Sequence, residues 1–127
     1  MYWCSQAVLK SNLYEGGDMR SQVEKILLEK MNEKRRYRES ENVDVIVVEN
    51  FPRLGTLTAL RFLEWVQQNP GGVVSLPTGK TPQYFISEVQ RYVNNWNTKS
   101  VRKELAEWGI DPSVPPDMKS LHFVQID

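Results

Sequence analysis

Between residues 43 and 51 the chain reads Val-Asp-Val-Ile-Val-Val-Glu-Asn-Phe, and this run constrains the fold more than any other stretch. Val43, Val45, Ile46, Val47 and Val48 are β-branched and almost continuous. Such side chains suit a pleated strand, and an unbroken apolar run suits one covered on both faces. A strand of that kind needs helices above and below it.

The rest of the sequence offers them. Residues 73–76 and 121–127 read as two further short apolar strands. From Ser21 to about Arg36, Val23, Ile26, Leu27 and Met31 recur at helical spacing, and Ser21 with Glu24 forms a capping-box pattern. Pro52 and Gly55 read as a break, after which Thr56 or Thr58 opens a helix with Leu57, Leu60, Leu63 and Val66 on one side. Asn69-Pro70-Gly71-Gly72 ends it. Pro82 starts a third helix, with Thr81 as N-cap and Phe85, Val89, Tyr92 and Trp96 as its buried stripe. A fourth, capped by Ser100, turns Val101, Leu105 and Trp108 inward and closes at Gly109. Residues 111–120 form a proline-rich connector. Strands alternating with helices of this length predict an α/β fold with a parallel sheet and right-handed crossovers.

Size and composition agree with one globular domain: 127 residues, 40% hydrophobic and 25% charged. The 16 basic and 16 acidic residues cancel, so the total charge points neither to nucleic acid nor to an acidic membrane surface. Cys4 is the single cysteine and cannot form an intrachain disulfide, which fits a reducing compartment. No run approaches the roughly 18 apolar residues of a membrane span, and residues 1–17 lack the pattern of a signal peptide. A cytoplasmic protein is expected. Residues 1–42 read as an N-terminal extension with one helix, ahead of the α/β part at 43–127. Lys34, Arg35, Arg36 and Arg38 form a basic tail to that helix. Such a run could grip phosphate or RNA, but cations at a helix C-terminus suit its dipole and sit in water.

The most distinctive loop is Ser75-Leu-Pro-Thr-Gly-Lys-Thr-Pro82. It is not a nucleotide P-loop. That motif needs its first glycine five positions before Gly79, where Val74 stands, and Pro77 removes an amide donor. An anion still suits the place. Ligands of doubly wound sheets gather beyond the C-terminal ends of strands, and a helix N-terminus offers unpaired amides and positive potential. Gly79 allows close approach, Thr78 and Thr81 carry hydroxyls, and Lys80 carries a charge. A capped turn without any ligand is the alternative.

This wording resembles the Leu-Pro-Thr-Gly-x-Thr-Pro loop of the glucosamine-6-phosphate isomerase/deaminase family. The related 6-phosphogluconolactonases usually carry a Ser-Gly-Gly-Ser-type loop there. A second likeness is Phe123-Val-Gln-Ile-Asp127, since the next strand of that family ends in an Asp-Glu pair. The resemblance covers about residues 43–127. It implies a Rossmann-like parallel sheet flanked by helices, of which these residues would be an N-terminal part, and a hexosamine phosphate as ligand. It implies aldose-ketose isomerisation with release of ammonia in the complete enzyme, with neither metal nor cofactor. By position, Thr78, Gly79, Lys80 and Thr81 would hold the phosphate and Asp127 would take the C2 proton of the ring-opened sugar. No nucleic acid or membrane partner follows from it, and a homo-oligomer is compatible with it.

The chain also departs from that pattern. Lys80 replaces a common glycine, the segment 94–119 is long, and the ring-opening histidine of the family has no match. His122 falls inside the third strand and reads as a core or edge residue. A lactone hydrolase and a sugar-phosphate-sensing domain without turnover therefore stand as alternatives.

Overall fold

The computed structural model describes residues 2–4, 21–31 and 45–126. In chain order these form β1 (Tyr2–Cys4), α1 (Gln22–Met31), β2 (Val45–Val47), α2 (Phe51–Gln68), β3 (Val73–Pro77), α3 (Gln83–Asn94), α4 (Lys99–Glu107) and β4 (His122–Ile126). The fold is mixed helix and strand. β3 and β4 run parallel, with Val73 opposite His122 and Pro77 opposite Ile126. A parallel pair needs a long crossover, and α3 and α4 lie within it.

The sequence pattern placed three strands in one parallel sheet, and the described residues differ. β2 pairs antiparallel with β1, Tyr2 opposite Val47, and the β3–β4 sheet has two strands. Hydrophobic runs specify which residues are extended and buried. They do not choose the neighbouring strand.

α2 shows the largest change of boundary. It starts at Phe51, several residues before the predicted Thr56 or Thr58. Asn50 is the N-cap, and its Oδ1 accepts the Arg53 N–H at 2.8 Å. Pro52 lies in the first turn, where its missing N–H has no intrahelical partner to lose. The Thr56 and Thr58 hydroxyls donate back to the carbonyls of Pro52 and Leu54, at 3.2 and 2.7 Å. Gly55 is therefore inside the helix and buried. A glycine there costs about 1 kcal/mol relative to alanine. The reason is space, because α3 crosses directly over this position.

The core joins α1 to α4 with β2. Leu57, Leu60 and Leu63 of α2 meet Val89, Tyr92 and Trp96 of the third-helix stripe and Val101, Leu105 and Trp108 of the fourth. Val23 and Leu27 of α1 belong to the same cluster, so this helix of the N-terminal region shares the core of the rest. Phe85, the remaining member of the stripe, is half-buried and meets Phe62 edge to face at 5.4 Å. α4 is capped by Thr98 rather than Ser100: the Thr98 hydroxyl accepts the Val101 N–H at 3.4 Å. Gly109 follows that helix with φ +73°, as a C-terminal glycine should. The basic residues 34–38 lie outside the described residues.

Two charged clusters tie helices together. In the first, Ser21 caps α1 by accepting the Glu24 N–H at 3.1 Å. Its hydroxyl donates to Glu64 on α2, whose other oxygen accepts the Gln22 N–H at 2.7 Å. Arg61 bridges Glu24 and Glu64 at 2.9 and 3.1 Å, and all these side chains are buried.

In the second, Arg91 on α3 meets Glu104 on α4 with both terminal nitrogens at 3.0 Å and Glu88 at 2.9 Å. The Tyr92 hydroxyl donates to Glu104 at 2.6 Å. Burial first, and then that hydrogen bond, push the Tyr92 phenol above its ordinary range. Burial opposes ionisation of Glu104. The hydrogen bonds from Arg91 and Tyr92 outweigh it and hold the carboxyl below its ordinary value of 4.5.

A lowered folded pKa means that Glu104 stabilises the fold fully above 4.5 and less as pH falls through the folded value. Glu104→Gln should cost about 1 kcal/mol at neutral pH, since water reaches and screens the cluster. Its melting-temperature deficit against the wild type should shrink as the pH is taken below 4.5. A deficit that stays constant down to pH 3 would deny Glu104 that role.

Candidate functional site

β3 carries the chain to Pro77, and α3 begins at Gln83. The intervening Thr78, Gly79, Lys80 and Thr81 are all exposed. This turn is built by Gly79, whose φ of +82° is a conformation that side chains with a Cβ rarely adopt. Among the described residues nothing lies within 4 Å of where its Cβ would stand, which leaves that face of the backbone open. The Gln83 N–H donates to the Lys80 carbonyl at 3.2 Å and the Ile86 N–H to the Pro82 carbonyl at 2.9 Å. These bonds weld the turn to the first turn of α3.

The predicted cap is displaced by one residue. Pro82, not Thr81, occupies the N-cap position, and no side chain caps α3. A proline carries no side-chain acceptor, and Thr81 falls just outside the helix. Among the described residues neither the Thr78 nor the Thr81 hydroxyl has a protein hydrogen-bond partner. The first turn of α3 also holds no acidic residue. No residue of that turn therefore offsets the positive end of the helix, a setting that favours an anion.

The structure brings Thr78, Gly79, Lys80 and Thr81 into one turn at the end of a parallel strand. Asp127, the fifth residue named from the sequence, lies outside the described residues. β4 ends at Ile126, opposite Pro77. His122 sits at the other end of the pair, exposed, with its N–H on the Gly72 carbonyl at 2.9 Å. Four residues of strand separate its level from Ile126, or about 13 Å. It is a strand-edge residue remote from the turn.

Apolar surface lies near the turn: Tyr84 is 41% exposed and Ile86 40%. The Thr56 hydroxyl of α2 meets Glu88 of α3 at 3.4 Å, which places the start of α2 beside the start of α3. Sequence reasoning missed this convergence because it began α2 too late. The signal was present: Asn50 followed by Pro52 is a cap with proline in the first turn.

Among the described residues, no group of three or more His, Cys, Asp or Glu is placed to hold a metal ion. Nor is any helix among them long and apolar enough to cross a membrane. No protein-family model matches this chain, and neither does any curated protein or solved structure.

Proposed function

We propose that the chain binds a hexosamine phosphate through residues 78–81 and takes part in chemistry like that of the glucosamine-6-phosphate isomerases/deaminases. One observation carries the reading. An exposed Thr-Gly-Lys-Thr turn, open at Gly79, joins the end of a parallel strand to an uncapped helix N-terminus. Amides, two hydroxyls and a lysine belong to that one exposed turn, and a phosphate dianion accepts hydrogen bonds from groups of each kind. The wider architecture belongs to the same proposal: β3 and β4 would be members of a Rossmann-like sheet, with the ligand at their C-terminal ends.

The sugar half of the ligand supplies the chemistry. Asp127, the residue that follows β4 in the sequence, would remove the C2 proton of the open-chain sugar and return it to C1. That transfer turns the 2-amino aldose into a C2 imine; water then adds to C2, expels the nitrogen as ammonia and leaves the ketose. His122 takes no part, because it lies at the far end of the strand pair. The same distance supports a second reading, in which the chain senses a sugar phosphate without turning it over.

Calorimetric titration tests the binding. Glucosamine 6-phosphate is expected to bind and glucosamine to bind far more weakly. Thr78→Ala removes one hydrogen bond to a charged group, worth about 1.5–3 kcal/mol, or a loss of roughly tenfold to a hundredfold in affinity. Equal affinity for the two sugars would defeat the phosphate assignment.

A further inference from the structure

We infer that Gly55 is a positioning residue for the 78–81 turn: the absence of a side chain there seats the first turn of α3, and that seat sets where the turn's donors point. The inference rests on the phosphate reading only for what the turn binds.

The contact is unusually close. A Cβ on Gly55 would stand 2.4 Å from the Tyr84 Cβ, 2.8 Å from the Tyr84 carbonyl carbon and 3.0 Å from the Phe85 amide nitrogen. The last two are backbone atoms, so no rotamer change relieves them. Either α3 or α2 has to move. Neighbouring links hold the same seam, with Thr56 on Glu88 at 3.4 Å and Phe62 against Phe85 at 5.4 Å. The displacement therefore concentrates at the free end of α3, where the exposed turn resists least.

From there it passes directly to the candidate site. Tyr84 follows Thr81 by three positions, and the Gln83 and Ile86 amides are bonded to the Lys80 and Pro82 carbonyls. A shift at Tyr84 cannot leave Lys80 in place while those bonds persist. Gly79 differs from Gly55 in kind. Its surroundings are open, and its role is the local backbone conformation. In an ordinary helix interior alanine is preferred to glycine, so the sign of the effect at Gly55 is itself diagnostic.

The test compares the full chain carrying Gly55→Ala with one carrying Leu63→Val, a core truncation on the same helix. Amide chemical shifts are recorded without ligand, and glucosamine 6-phosphate and inorganic phosphate are then titrated. In Gly55→Ala the peaks of residues 78–81 and 83–85 should move, while Leu63→Val should leave 78–81 unchanged. Affinity should fall by about tenfold or more in Gly55→Ala, as expected for a misplaced binding group. In the control it should change less than twofold.

Unmoved peaks at 78–81 would overturn the inference, as would unchanged affinity in Gly55→Ala against a wild type that binds. If the peaks move but the wild type binds neither compound, the positioning role stands and the phosphate reading falls. If Gly55→Ala does not fold, the double variant with Tyr84→Gly removes the nearest clash. It should recover part of the lost melting temperature, and a double variant no better than the single one would overturn the inference.

Discussion

Arg61→Ala is expected to cost about 3–5 kcal/mol of stability, measured by urea unfolding. The guanidinium sits between two buried carboxylates, with Nε on Glu24 at 2.9 Å and Nη1 on Glu64 at 3.1 Å. Removing it leaves their charges in a poorly solvated place and also deletes the methylene stem that packs there. The opposite effect, the intrinsic helix preference for alanine, is worth only a few tenths of a kcal/mol and cannot compensate. Arg61→Lys should recover only part of the loss, because one ammonium cannot reproduce two fixed donors aimed at different carboxylates. A loss below about 1 kcal/mol for Arg61→Ala would mean that water reaches the cluster as it does a surface pair.

Asp127→Asn is expected to lower proton exchange at C2 of glucosamine 6-phosphate by about a hundredfold to ten-thousandfold. The amide is nearly the same size as the carboxylate but cannot accept a carbon-bound proton at neutral pH. Binding should change little, because the phosphate is assigned to residues 78–81. Deuterium incorporation from heavy water, followed by proton NMR, reads the step without requiring ammonia release. Undiminished exchange in Asp127→Asn would remove Asp127 from the mechanism. A wild type that binds the sugar phosphate yet exchanges nothing would favour the sensing reading.

Much of the helical architecture was legible in residue spacing. Val89, Tyr92 and Trp96 at the third helix, and Val101, Leu105 and Trp108 at the fourth, are buried as their periodicity requires. Caps were less legible. Thr98 and Ser100 are both good N-cap residues two positions apart, and only the observed backbone decides between them. Gly55 illustrates a different limit. Glycine signals a break when read locally, whereas here a second helix 29 positions further along, at Tyr84, needs the space.

The Ser21–Glu24 cap is legible as a capping-box pattern, but the ties of Ser21 to Glu64 and of Glu24 to Arg61 are invisible for the same reason, since they span 43 and 37 residues of sequence. The exposed turn at 78–81 is legible as a turn, because its glycine and the prolines beside it act locally. Strand partnership was not readable, because the valine-rich run at β2 suits any neighbour that offers backbone groups.

The way α1 is capped has a consequence for the order of assembly. A helix of 10 residues is marginal in water on its own. Here its leading amide and its cap hydroxyl are both claimed by a carboxylate from α2, 42 and 43 residues away. Neither bond exists until the distant segment has arrived. The N-terminal end of α1 is thus completed only by tertiary structure, and its helicity should vanish in the same cooperative step that unfolds α2.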